Sequence, residues 1–295
     1  MTVRHTIGIL AAAGASLWLA SAPCALAADA HAPAAHPAAA PMKLKRNAEM
    51  PVLPPRLEMS AKPMHGAKDA LWAYSGNRGP EHWAELSRAY RTCADGTHQS
   101  PVNIDTAGVA RMPSLAVHYK VSLVHLDVDG QLVRATYGEG SYITIGKERF
   151  DLRHFDLHTP SEHRIAGRDF PMEIQFVHEN AQGRKAIVSV LSVAGEDNLA
   201  ARELLERLPE APHGRMGDPR ILMNARDLLP ENTRYFRYTG SLTKPPCTEE
   251  VDWFVLQTPV PYAVDQISRL YRVVGGNARP VQARNGRFLL QSTGG

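Results

Sequence analysis

From residue 100 onward the chain is built of short segments in which apolar and polar positions alternate, separated by Gly, Asp and Pro. Alternation at a period of two turns one face of a strand toward a core and the other toward solvent or a cleft. On this pattern strands are predicted at Val121–Val128, Leu132–Tyr137, Ser141–Ile145, Phe150–His158, Met172–His178, Ala186–Ala194 and Val251–Pro259. The Ala186–Ala194 run is apolar at nearly every position, which predicts a strand covered on both faces. A helical period takes over at Asn198–Leu208, where Leu199, Leu204, Leu205 and Leu208 share one face, and Pro209 ends it. Shorter helical turns are predicted around Pro80–Tyr90 and Asp265–Val273. The expectation is a mostly-β single domain with a few helices, spanning 69–295.

The pattern differs before residue 69. Arg4 and His5 precede an apolar run from Ile7 to Leu19, and Ala25-Leu26-Ala27 forms a small-residue cleavage site, so 1–27 reads as a secretory signal peptide. The run is short for a membrane span and Pro23 follows it closely, so no integral membrane segment is expected after cleavage. Cys24 raises the question of a lipoprotein, which the preceding Pro23 and the better cleavage site after it argue against. Residues 28–68 are Ala- and Pro-rich with few periodic apolar positions, the composition of a flexible linker that buries too little surface to offset its ordering entropy. His31 and His36 within it read as solvated spacers.

Lys and Arg number 33 against 30 Asp and Glu, and a net charge of +3 is too small to point to nucleic acid or a membrane surface. Beyond the leader two cysteines remain, Cys93 and Cys247. In an exported, periplasmic or secreted protein an even pair reads as one disulfide; two unpaired buried thiols is the other reading.

Candidate chemistry concentrates between His154 and His178, in HFDLHTPSEHRIAGRDFPMEIQFVH. Residues two apart on a strand face the same way, so His154, Asp156 and His158 share one face while Phe155 and Leu157 enter the opposite, apolar layer. Gln175 must then join them from a neighbouring strand. A lone histidine is more often a satisfied core side chain, but polar neighbours on the same face favour a cavity lining. His154 and His158 are separated by roughly 13 Å along a strand, too far to hold one ion together without a bend. A hydrogen-bonded His154–Asp156 or Asp156–His158 pair without metal is therefore expected, the alternative being a metal shared by His154, Asp156 and Gln175.

Further motifs flank this stretch: WAYSGNRGPEHW (Trp72–Trp83), QSPVNI (Gln99–Ile104), TPSEH (Thr159–His163), GSLTKPPCTEEVDWFVL (Gly240–Leu256) and NARP (Asn277–Pro280). In this order and spacing, from about Trp72 to Arg287, the chain resembles the α-class carbonic anhydrases, in particular their exported bacterial branch. The resemblance implies a central twisted, mainly antiparallel sheet with the site in a conical cleft. It implies a Cys93–Cys247 disulfide. It places zinc-ligand positions at Asp156, His158 and Gln175, where three histidines are usual, so that the chain resembles a carbonic anhydrase-related protein. It matches Thr243 to a gatekeeping threonine that donates its hydroxyl proton to a buried glutamate, Glu162, and places His163 and Tyr74 in the same polar network. Glu173 matches the group that orients the third ligand, and His154 stands where a glutamine usually does. Val177, Ile187, Leu242 and Trp253 match the apolar wall for carbon dioxide. The usual proton-shuttling histidine falls near Gln131, which cannot carry protons near neutral pH.

Zinc hydration chemistry needs three protein ligands and an open position for an ionising water. An aspartate lowers the charge acting on that water, and a glutamine amide oxygen is a poor zinc ligand beside imidazole. The expectation is weak or absent zinc, lost or strongly reduced carbon dioxide hydration, and a binding or scaffold role toward an unknown protein or surface ligand. The alternative is an active carbonate dehydratase, a lyase producing bicarbonate, with an Asp/His/Gln set holding zinc or a harder metal such as manganese or iron; Thr243 and Glu162 motivate it. An adhesion or carbohydrate-binding module has only export and the linker behind it.

Overall fold

The most apolar strand of the chain lies deep in its sheet. Lys185–Ala194 is buried at every position from Ala186 to Val193, as a segment covered on both faces requires. It pairs antiparallel with Glu173–Glu179 on one side and parallel with Glu249–Leu256 on the other. Beyond Glu173–Glu179 the sheet continues through Glu148–His158, Val133–Tyr137, Ser122–Val128 and Arg220–Met223, all antiparallel. Beyond Glu249–Leu256 come Tyr235–Ser241, Leu290–Ser292 and Thr106–Ala110, the last two paired in parallel. The computed structural model describes residues 42–43, 71–129, 131–209 and 220–293. Among them the sheet has 14 strands and is mixed, mainly antiparallel. The segment expected to be a signal peptide, 1–27, and nearly all of the expected linker, 28–68, lie outside the described residues.

Alternation along the strands sorts side chains into two layers. Phe155, Leu157, Ile174, Phe176, Val188 and Val190 enter one core with Leu204 and Leu205 of the first long helix and Leu208 just beyond its end. Val177, Ile187, Leu191, Trp253 and Tyr238 enter a second cluster on the other face. Burying each such side chain is worth about 2 kcal/mol, so a one-residue slip that exchanged the faces would forfeit most of both cores.

The first helix runs Leu199–Glu206, with Asn198 Oδ1 accepting from Ala201 N at 3.0 Å as its cap. The second, Val264–Val274, extends the expected Asp265–Val273 by one residue at each end. Leu270, Val273 and Val274 give it a buried stripe, and Gly275, at φ 67°, closes it by donating its N–H to Tyr271 O. Arg269 from this helix donates to the carbonyls of Leu205 and Leu208, satisfying the open C-terminus of the first. Around Pro80–Tyr90 the helical turns are broken into Trp83–Leu86 and Arg88–Tyr90 because Ser87 adopts an extended conformation and caps the second piece through its hydroxyl. Tyr235–Ser241 is a strand the alternation reading left out.

Candidate functional site

Register decides which side chains meet on the polar face of Glu148–His158. Asp156 stands opposite Gln175 on one neighbouring strand and opposite Arg134 on the other. His158 stands opposite Glu173. Asp156, His158 and Gln175 are thereby brought side by side, and all three are buried.

Asp156 is fully enclosed and bound by cations. Arg134 grips it with both prongs, Nε to Oδ1 at 2.8 Å and Nη2 to Oδ2 at 2.9 Å, and the Lys244 ammonium donates to Oδ2. Burial is the largest single influence on this carboxyl and pushes it up. The charge of Lys244, with His154 and Arg134, outweighs burial and holds it well below the usual carboxylate range. Burial likewise disfavours the Arg134 cation, yet Asp156 and its neighbours leave the guanidinium held more tightly protonated than usual. The expected His154–Asp156 pair forms at ion-pair distance and not as a hydrogen bond: His154 Nε2 stays 3.6 Å from Oδ2. Two permanent cations outcompete an imidazole for one carboxylate.

Gln175 is turned by its neighbours. Its Nε2 donates to Glu162 Oε2 at 2.7 Å and to Glu173 Oε1 at 3.0 Å. Ionised carboxylates only accept, so the amide nitrogen faces them and Oε1 faces Thr243, whose hydroxyl lies 3.5 Å away. The Thr243 hydroxyl therefore points to Gln175 and not to Glu162, correcting the pairing implied by resemblance; the amide of Gln175 occupies the Glu162 oxygen. The other Glu162 oxygen accepts the backbone N–H of Arg279 at 2.9 Å.

Glu173 collects four donors from three residues besides Gln175. They are the backbone N–H groups of Glu162 and His163, His163 Nδ1 and Ser189 Oγ, each at 2.8 Å; Gln175 makes the fifth bond. Burial pushes this carboxyl up, but the His163 charge and its hydrogen bonds prevail and take it to about 2. His163 Nε2 lies 2.6 Å from the Tyr238 hydroxyl, which donates to Ser100 Oγ.

His158 is held from behind. Its Nδ1 donates to Asn277 O at 2.8 Å, which leaves Nε2 of the neutral ring as a bare acceptor. That atom is buried and has no partner, as is the Tyr74 hydroxyl, and the two rings meet edge to face at 6.4 Å. Burial pushes the Tyr74 phenol well above its ordinary range. Asn277 also bonds Leu157 O and Thr159 N through its side chain, fixing the end of the strand.

Val177, Ile187 and Trp253 share one buried cluster with Leu242 packed against it. A cleft of about 200 Å³ lies against Arg134 and Lys244, with Trp72, Asp127 and Asp129 among its walls. Gln131 donates to Trp72 O at 3.1 Å on its rim. The Cys93–Cys247 disulfide is formed, which decides between the two cysteine readings. Among the described residues no group of three or more His, Cys, Asp or Glu side chains converges on a common metal position.

Sequence reasoning missed Arg134, Lys244, Tyr238, Ser189 and Asn277. Arg134 carried a signal: it is a lone cation between Val133 and Ala135 in a strand with no other charge, and such a charge needs a partner. Lys244 adjoins Thr243, and Asn277 opens the NARP motif.

Comparison with known proteins converges on one family. The family model for eukaryotic-type carbonic anhydrase matches residues 78–293. A carbonic anhydrase of Neisseria gonorrhoeae is 37% identical over 223 residues, covering 75% of this chain and 87% of that protein. The α-carbonic anhydrase of Thermovibrio ammonificans, solved with the inhibitor sulfanilamide, superposes with a TM-score of 0.70 at 35% identity, covering 74% of this chain and 98% of that one. Dioscorin complexed with ascorbate superposes with a TM-score of 0.69 at 27% identity, covering 75% and 97%.

Proposed function

The chain belongs to the eukaryotic-type (α) carbonic anhydrase family, and from that membership we propose an exported, cleft-bearing binding domain whose carbon dioxide hydration is lost or strongly reduced. The observation that carries this reading is the engagement of Asp156 by both Arg134 and Lys244. A zinc ion at this floor needs three donor lone pairs and an open position. One donor is already paired with two cations, and a second, Gln175, gives its amide nitrogen to two glutamates. Only His158 Nε2 is a free nitrogen donor. The residues present do not fit a zinc hydroxide site.

Such a domain keeps a walled cleft, which suits a binding role; dioscorin, similar in fold, was solved with a small organic molecule bound. A periplasmic or secreted location belongs to the same reading, supported by the disulfide. Among the described residues no helix is long and apolar enough to cross a membrane.

Elemental analysis of protein purified without chelators, with stopped-flow carbon dioxide hydration, tests the reading. The expected result is substoichiometric zinc and a rate indistinguishable from buffer. Stoichiometric zinc with hydration abolished by a sulfonamide would overturn it. The second reading, an active lyase with an Asp/His/Gln metal set, is favoured by the bare His158 Nε2 and the nearby Thr243; bound zinc, manganese or iron with turnover in the same experiment would select it.

A further inference from the structure

We infer that the Lys244 ammonium, backed by the Arg134 guanidinium, is the resident cation of this site and keeps divalent metal away from Asp156, His158 and Gln175. The inference rests on the reading of the cleft as non-catalytic and assigns a cause to it: exclusion by an internal charge, beyond the loss of ligands.

Three observations carry it. First, Asp156 is fully buried, and a carboxylate there demands a counter-charge. Lys244 and Arg134 supply it, and a divalent ion approaching the same oxygens would be opposed by two positive charges at contact distance. Second, the donors that a metal would use survive behind that barrier. His158 Nε2 is buried without a partner, and Gln175 Oε1 faces only the Thr243 hydroxyl at 3.5 Å. Third, Lys244 is tethered. Its carbonyl accepts from Cys247 N at 2.9 Å, and Cys247 is bridged to Cys93. A cation held in place by the chain competes at an effective concentration that a free ion has to match.

The cleft leaves a path for exchange, since the Lys244 and Arg134 side chains are 14% and 34% exposed while Asp156 is sealed. Asp127 and Asp129 on the cleft wall would attract cations, not repel them. The block therefore lies at the floor.

Calorimetric titration of the full metal-free chain with Zn²⁺ tests this. Lys244→Met keeps the length of the side chain and removes its charge. It is expected to gain one Zn²⁺ site, bound about a hundredfold more tightly than in the unaltered protein, and to show a Zn²⁺-dependent rise in melting temperature that the unaltered protein lacks. Lys244→Arg, which keeps the charge, should bind as weakly as the unaltered protein. Asp156→Asn placed on Lys244→Met should remove the gained site, locating it at the cleft floor. If Lys244→Met does not fold, Arg134→Met carries the same comparison. Equal Zn²⁺ affinity with and without Lys244, or no gain in either single variant, would overturn the inference. A zinc-free native protein with zinc-blind variants overturns this inference alone; stoichiometric zinc in the native protein overturns the functional reading as well.

Discussion

His178 shows how one buried side chain sets a pH limit. It is fully enclosed, with Nε2 at 2.7 Å from the Tyr119 hydroxyl and Nδ1 at 3.2 Å from Ala186 O. Burial pushes its pKa down from 6.5 to about 3. Between those values the unfolded chain takes up a proton that the native state refuses, so the folded state loses stability as pH falls through that window and keeps it fully above. The slope is about 1.4 kcal/mol per pH unit. His178→Gln should flatten the fall in urea midpoint between those two values; an unchanged slope would remove His178 as the cause. Glu173 acts in a lower window: its depressed carboxyl stabilises above its unfolded pKa of 4.5, and that contribution is lost as pH falls toward 2. The residues whose chemistry was legible in sequence, Asp156 and Gln175, stood at recognisable motif positions. Their partners did not, because Arg134 is 22 positions and Lys244 88 positions from Asp156 along the chain. Strand register brings Arg134 to Asp156, and the turn that follows Tyr235–Ser241 brings Lys244.

Elements followed their periodicity wherever one face had a core to meet. The Glu173–Glu179 and Lys185–Ala194 strands lie within a residue or two of their predicted bounds because both faces are buried and the apolar run is unambiguous. Tyr235–Ser241 went unread although it is rich in aromatic and β-branched residues, and it supplies Tyr238 to the polar network. The Val264–Val274 helix lies within one residue of its expected bounds at each end, its stripe at Leu270, Val273 and Val274 facing the core. The Leu199–Glu206 helix has eight residues, too few to persist alone, so its ends matter. Asn198→Ala removes the cap to Ala201 N and is expected to destabilise the domain by about 1 kcal/mol. Thermal unfolding measures it, and a variant as stable as the unaltered protein would show the cap to be dispensable.

At the scale of the whole molecule the disulfide joins regions far apart in sequence, with Cys93 and Cys247 separated by 154 residues. Closing so long a loop restricts the unfolded chain, and replacing both cysteines by alanine is expected to cost about 4 kcal/mol. Denaturant unfolding of the double variant checks this; a loss below about 1 kcal/mol would mean the unfolded state is already restricted by other means. The bridge also packs against Trp83 beside Trp72 and Tyr74, next to the site. By itself the sequence determined the family, the mostly-β architecture and the cysteine pair as a candidate bridge, and its motifs marked Asp156, His158 and Gln175 as the positions to inspect, because each of these is written in local spacing or in motifs that keep their order. Tertiary structure alone decided what occupies those positions: a lysine and an arginine on Asp156, two glutamates on the Gln175 amide, and nothing on His158 Nε2. The physical reason is that charge pairing inside a fold depends on which strands lie side by side, in what register, and where the turns between them come to rest, and those are properties of the packed fold that no local stretch of chain contains.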